Sequence, residues 1–386
     1  MKNSFIFVVC GAREHIDTLH FSLEYLKKYT SNEIWVLTDT SRNEIPVIHD
    51  KVVDVRTPEA FNHHQASIFL KTGIHHYFPK GNRYCYLDTD ILALSEEVDD
   101  VFNEFVSPIS FAPDHCTMEQ FSAYAVNCDC ISLYDTYSNR IEKNLVAIDP
   151  LRTSSKPSII ENRKKLVSFY QQNNSIPRKI AVGLRFLFSF NRFSIPQGIY
   201  FDKKDKTWKD QTGESFMHHF RWAEISKKSG LKWNHLKGYP ALPDGRSLWK
   251  LSCNHLKEQI AETFDIAVKN DHFQHWNGGV FLFDDSSHDF LNMWHESTLE
   301  IFKNPRWKTR DQGTLIKTVW QFGLQEHPTL NKKWNLIADY HNPFLRWEGN
   351  VVHIGAQESY TPALLHVYHH FGDETWDFWN TIPTVN

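Results

Sequence analysis

The chain has 386 residues, 41% hydrophobic and 14% aromatic, with a net charge of only −4. That is enough apolar material for a large core, and no stretch has the composition of a disordered or low-complexity tract. No apolar run approaches the ~20 residues of a membrane span, and FIFVVC, preceded by a single lysine, is too short for a signal peptide.

SFIFVVC (Ser4 to Cys10) reads as a buried strand ending at Gly11, and the residues after it carry Ile16, Leu19, Leu23 and Leu26 at helical spacing. EIWVL (33–37) and KVVDV (51–55) give two further strands, the first ending in Thr38 and Asp39. A helical pattern then runs from Pro58 to about Phe78, stopped by Pro79 and Gly81. YCYLDTDILAL (84–94) is the next strand. Strands and helices in this order predict a mixed, mostly parallel α/β sheet flanked by helices. ISFAP (109–113) adds a strand, and AYAVNCDCISLY (123–134) is expected to continue the sheet. From about 151 to 260 the alternation is lost, and basic helical stretches mix with aromatic loops. The sheet signal returns in HWNGGVFLFDD (275–285), followed by a helix near 290–302, RDQGTLIKTVWQ (310–321), KKWN (332–335) and VVHIG (351–355). The expected division is therefore 1–150, a basic, mainly helical insertion over 151–260, and a returning half over 261–386.

Charge follows the same division. Counting Asp, Glu, Lys and Arg gives −10 for 1–150, +13 for 151–260 and −7 for 261–386, which sum to −4. The six cysteines, Cys10, Cys85, Cys116, Cys128, Cys130 and Cys253, have no framework spacing, which predicts reduced thiols in the cytoplasm. Cys128 and Cys130 drawn with His115 and Cys116 make a zinc-like group, but at a spacing that fits no common structural pattern.

Asp88 and Asp90 carry the chemistry. Alternation along a strand points both to one side, and two carboxylates leaving an apolar strand require a cation between them. Oxygen ligands suit Mg²⁺ or Mn²⁺, ions commonly shared between carboxylates and substrate phosphates. The competing reading has these acids capping a helix or pairing with Arg or Lys. In open sheets ligands gather beyond the carboxyl ends of the strands. Cys10, Gly11 and Ala12 lie at such an end, where small residues let a base or ribose approach, and Asp39 is placed to accept from either, unless it is an ordinary turn aspartate.

Taken in order, these motifs resemble the metal-dependent glycosyltransferases of the GT-A fold, most closely the retaining group typified by glycogenin and bacterial lipopolysaccharide galactosyltransferases. The resemblance rests on YLDTD, Lys71 on the preceding helix, NGGV (277–280), Asp311 with Gln312, Trp334 with Asn335, and His353 followed two residues later by Gly355. The lysine-proline-tryptophan that usually follows that glycine is replaced by AQESYTP, and the 151–260 insertion has no counterpart.

The resemblance implies a sugar transferred from a nucleoside-diphosphate sugar, most often UDP-linked, to a hydroxyl of a glycan or lipid-linked acceptor, with the anomeric configuration kept. Asp88, Asp90 and His353 would hold Mn²⁺ or Mg²⁺, with Asp88 also touching the ribose. Lys71, Asn277, Gly278, Gly279 and Gly355 would meet the donor, and Asp311 and Gln312 would face the reacting sugar. His366, His369 and His370 in HVYHH lack partner acids at helical spacing and read as surface or packing. Asp284 and Asp285 compete for a base role that would suit inversion.

The basic stretch 178–193 interleaves Arg178, Lys179, Arg185 and Arg192 with Leu184, Phe186, Leu187, Phe188 and Phe190. It suits peripheral contact with the inner face of a membrane or an anionic acceptor, against the alternative of a solvated basic face. No nucleic-acid motif is present. The rival functions are a phosphohydrolase with an Asp-x-Asp nucleophile, a nucleotidyltransferase and a non-catalytic sugar-binding module. A phosphohydrolase wants its acids after the first strand, whereas here they follow a later one. A nucleotidyltransferase wants a glycine-rich basic loop, and CGAREH offers only Arg13.

Overall fold

The computed structural model describes residues 1–308, 311–342, 344–355 and 358–384. The chain forms two units, one of residues 1–128 with 253–386 and one of 129–252.

In chain order the first unit opens with β1 (Asn3–Val9), α1 (Arg13–Tyr29), β2 (Glu33–Thr38), β3 (Val52–Asp54) and α2 (His63–Thr72). It continues with β4 (Arg83–Leu87), β5 (Ile91–Ala93), β6 (Ser110–Thr117) and α3 (Met118–Ala125). The second unit holds α4 (Cys130–Ile148), α5 (Pro157–Gln172), α6 (Ile176–Phe188), β7 (Arg192–Ile195), β8 (Ile199–Asp202), β9 (Thr207–Lys209), β10 (Ser215–His218), α7 (Trp222–Lys228), β11 (Lys232–Asn234) and β12 (Tyr239–Ala241). The first unit resumes with α8 (His255–Phe264), β13 (Gln274–Phe283), α9 (His288–Ile301) and α10 (Asp311–Gln321). It ends with β14 (Leu336–Asp339), β15 (Arg346–Glu348), β16 (Val351–His353), β17 (Ser359–Tyr360) and β18 (Leu364–Tyr368).

The central sheet has the order β3-β2-β1-β4-β13-β6. β1, β2, β3 and β4 run parallel, and β13 is antiparallel to both neighbours. This is the mixed, mostly parallel α/β fold the sequence predicts. β1 lies between two parallel partners with helices on the faces, so its residues Ser4 to Val9 are all buried, which is why it reads as a continuous apolar run. α1 buries Ile16, Leu19, Leu23 and Leu26 at the expected spacing. α2 begins at a reciprocal cap between Asn62 and Gln65, later than Pro58, because that cap fixes the first turn.

A second sheet, β14-β18-β5, stands beside the first. It matters because β5 directly follows the acids of β4, so Asp88–Asp90 is the turn through which the chain passes from one sheet to the other.

Two elements differ from expectation. AYAVNCDCISLY is no strand of the sheet, its start lying in α3 and its end in α4: Thr117 and Gln120 form a capping box, and Met118, Ser122 and Ala125 are buried on one helical face. The second unit carries, beside its helices, a four-stranded antiparallel sheet, β10-β9-β8-β7, and the pair β11-β12, which the loss of alternation in the sequence did not announce.

Candidate active site

β4 ends at Leu87, and Asp88 and Asp90 lie in a turn in which the Ile91 amide donates to the Asp88 carbonyl at 3.2 Å. The two carboxylates therefore converge by a turn, not by strand alternation as the sequence reading had it. The turn is held from both sides. The Asp88 amide donates to the Gly279 carbonyl at 2.8 Å, and the Val367 amide to the Asp90 carbonyl at 3.0 Å.

The histidine brought to the acids is His366, not His353. The donor atoms of Asp88, Asp90 and His366 lie within 4.8 Å of one another, and His366 Nε2 is 3.3 Å from Asp90 Oδ1. His366 is 5% exposed, in β18 between β14 and β5, so it is neither the surface nor the mere packing residue suggested by HVYHH. His353 instead sits on the β15–β16 hairpin, 3.6 Å from Glu348. Gly355 follows β16 in the connection to β17, beside residues 356–357, which lie outside the described ones. His369 and His370 occupy a left-handed turn beyond β18, where His370 pairs with Asp373 at 2.8 Å.

A polar chain runs back from His366. Its Nδ1–H donates to Asn335 Oδ1 at 3.0 Å, Asn335 Nδ2 to Asn277 Oδ1 at 3.0 Å, and Asn277 Nδ2 to Asp114 Oδ2 at 2.8 Å. The first bond fixes the ring so that Nε2 faces the carboxylates. Burial disfavours the His366 imidazolium, but the charges of Asp90, Asp88 and Asp114 outweigh it and raise its pKa. Burial likewise opposes charge on Asp90, yet His366 and Lys71 carry its pKa below the ordinary carboxylate value.

Lys71, near the end of α2, is the fixed cation of the cleft. Its Nζ donates to Asp88 Oδ1 at 3.0 Å and lies 3.3 Å from Asp311 Oδ2. Burial works against its charge, but Asp88 and Asp311 reverse that and raise the pKa, so it stays an ammonium. Tyr86, whose pKa burial and Asp88 push well up, remains a phenol and donates to Asp88 Oδ1.

β13 supplies the floor. A Cβ on Gly279 would stand 2.7 Å from Asn277 Oδ1 and 2.8 Å from His366 Cε1, and one on Gly278 would come within 3.3 Å of Gln312. Gly279 is thus required by the side chains above it. Gln312 does not face the cleft with a free amide. Its nitrogen donates to the Trp276 carbonyl at 3.2 Å and to His275 Nε2 at 3.3 Å, and its oxygen accepts from the Gly278 amide at 3.0 Å. Asp311, by contrast, lines the cleft.

The cleft encloses about 550 Å³ and is walled by Cys10, Ala12, Lys71, Asp88, Asp90 and Asp311. The Cys10 thiol is pushed up to about 11, chiefly by burial, so it is a neutral wall. Gly11 takes a φ of +104°, and a Cβ there would stand 2.6 Å from His63. Asp39 is not a cleft residue. It is 1% exposed, and its oxygens accept from Thr57 N at 2.8 Å, Thr57 Oγ1 at 2.7 Å and Ser41 N at 3.1 Å, beside Arg42 at 3.3 Å. It ties the β2 turn to the segment after β3. Asp284 and Asp285 lie at the far end of β13, where Asp284 meets Arg83 at 3.3 Å and Asp285 accepts from the Gly81 amide at 3.0 Å, away from any base role in the cleft.

No protein-family model matches the sequence, and no curated protein sequence matches it. Glycosyltransferases are among the solved structures that it matches. The galactosyltransferase LgtC aligns over 99% of this chain and 97% of its own at 8% identity and a TM-score of 0.40. Mouse xyloside xylosyltransferase 1 aligns over 96% and 99% at 10% identity and 0.37. The bifunctional glycosyltransferase WbbM aligns over 87% of this chain and 40% of its own, at 8% and 0.36. GlyE of Streptococcus pneumoniae is matched over 29% of each chain, at 14% identity and 0.21. Similarity at this level fixes neither reaction nor substrate, which rest on the site itself.

Proposed function

We propose that this protein is a glycosyltransferase that moves a sugar from a nucleoside-diphosphate sugar, with UDP favoured, to a hydroxyl of a glycan or lipid-linked acceptor, and that it depends on a divalent metal. The observation that carries this reading is the convergence of Asp88, Asp90 and His366, with both carboxylates and a buried lysine lining one cleft at the carboxyl ends of β1 and β4. The donor set fits Mn²⁺ or Mg²⁺: two carboxylates and an imidazole whose other nitrogen is tethered to Asn335. Bound there, the ion would supply positive charge to a departing diphosphate.

The remaining chemistry belongs to the chain. Lys71, held charged by Asp88 and Asp311, offers a second cation that needs no reorganisation when the leaving group develops charge. Tyr86 keeps one Asp88 oxygen oriented. Asp311 presents a carboxylate to the sugar, suited to stabilising positive charge at the anomeric carbon or to attacking it, the latter giving retention. Gln312 positions Asp311 by locking the start of α10 onto β13. Gly278 and Gly279 let the donor lie close to the sheet.

The second unit supports an acceptor at a lipid surface. Among its described residues α6 buries none, and Phe188 and Phe190 are 81% and 94% exposed beside Arg178, Lys179, Arg185 and Arg192. The same unit has an apolar pocket of about 460 Å³ walled by Val182, Phe186, Phe193, Phe201 and Trp208. No helix among the described residues is long and apolar enough to cross a membrane.

The test is incubation of the purified protein with UDP-, GDP- and CDP-sugars with and without Mn²⁺. Metal-dependent binding and slow hydrolysis of one class, both lost in Asp90→Ala, are expected. Cleavage of simple phosphate esters with sugar nucleotides ignored would make it a phosphohydrolase.

A further inference from the structure

We propose that the first unit also holds a zinc ion through Cys128, Cys253 and His255. The cysteine group drawn from sequence, with His115 and Cys116, is not the one that forms: Cys116 stands instead with Asp114 and His115. Cys128 is the last residue of the first unit before the chain leaves it, and Cys253 the first on return. Their sulfurs are 3.8 Å apart. That is far beyond the ~2.05 Å of a disulfide, and it matches the edge of a tetrahedron whose metal–sulfur bonds are ~2.3 Å. His255 Nδ1 lies 3.2 Å from Cys253 Sγ, near the ~3.5 Å expected between a thiolate and an imidazole nitrogen on the same ion. The three donors all fall within 4.8 Å of one another.

The backbone carrying these donors is anchored. The Cys253 amide donates to the Glu119 carbonyl at 2.9 Å, the Leu256 amide to Ser122 Oγ at 2.9 Å, and the Asn127 amide to the Arg306 carbonyl at 2.7 Å. The sequence thus presents Cys128 on departure and C-x-H on return. This soft set selects zinc, whereas the carboxylate cleft suits harder ions. The ion would clip the ends of a 124-residue excursion (129 to 252), where closing a long loop constrains the unfolded chain most.

Zinc content of the full chain, purified under reducing conditions, is measured by mass spectrometry, and the metal-stripped chain is titrated with Co²⁺. One zinc per chain and a thiolate-to-cobalt charge-transfer band are expected. Asp90→Ala and His255→Cys should retain both, while Cys128→Ser and Cys253→Ser lose both. Circular dichroism identifies any variant that fails to fold, and Cys128→Ser, at a partly exposed position, carries the test if Cys253→Ser does so. Wild-type chain without zinc or a cobalt band, zinc kept in full by Cys128→Ser, or a Cys128–Cys253 disulfide would overturn the proposal. None of these results bears on sugar-nucleotide binding in the cleft.

Discussion

Lys71→Met removes the ammonium that separates Asp88 from Asp311 and leaves two carboxylates facing a cleft with no cation between them. Breaking a buried ion pair from one side costs about 3–5 kcal/mol. Asp88 keeps 29% of its side chain exposed while Asp311 keeps 14%, which sets the expected loss at the low end, about 3 kcal/mol. With a denaturant slope of about 3 kcal/mol per molar in urea, the midpoint should fall by about 1 M. The variant is isosteric enough to avoid a cavity, so the loss is electrostatic and has a signature. Mn²⁺ should raise the midpoint of Lys71→Met more than that of the wild type, because the added charge replaces the one removed. Urea titrations of both chains in metal-free and Mn²⁺ buffers make the comparison. A variant within about 0.5 kcal/mol of the wild type without metal, a range typical of surface substitutions, would refute the reasoning.

Three further outcomes follow from the same contacts. Asn335→Leu cuts the bond that orients His366 and should weaken Mn²⁺ binding about 10–100-fold, read by calorimetry, with far smaller change in sugar-nucleotide affinity at saturating metal. Gly279→Ala drives a methyl into Asn277 and His366 and should lose Mn²⁺ binding along with about 1–3 kcal/mol of stability, while Gly183→Ala, at an ordinary φ in open space, serves as a comparison. Asp39 is held at about 2 against the usual 3.8, because hydrogen bonds from Ser41 and Thr57 override the burial that opposes its charge. A depressed carboxyl stabilises the fold above its unfolded pKa and loses that contribution as pH falls through the folded one. At about 1.36 kcal/mol per pKa unit this is about 2.5 kcal/mol, so Asp39→Asn should lose about that much at pH 7 and show a flatter urea midpoint between pH 4 and 2.

What could be read from the sequence was whatever depends on neighbours along the chain. β1, β2 and β4 announced themselves as apolar runs because parallel interior strands are buried on both faces, and Lys71, Asp88, Asp90, Asn277 to Gly279 and Asp311 followed from short motifs placed on those elements. His366 was missed because β18 reaches the acids only by pairing with β5, which lies more than 270 residues earlier in the chain. Its one local signal was a polar residue interrupting the apolar strand LLHVY, where a buried histidine must have partners. His353 was favoured on its spacing to Gly355, and spacing does not say which strand meets the cleft. The segment 123–134 went wrong for a different reason: a short apolar run is compatible with strand or helix, and the Thr117–Gln120 cap decides it.

The central claim is that Asp88, Asp90 and His366 share one divalent ion. Crystals soaked in Mn²⁺ and measured at the manganese absorption edge test it most directly. The account predicts an anomalous peak within about 2.0–2.4 Å of an Asp90 oxygen and of His366 Nε2. A peak beside His353, or no peak in the cleft at saturating Mn²⁺ and nucleotide, would contradict it.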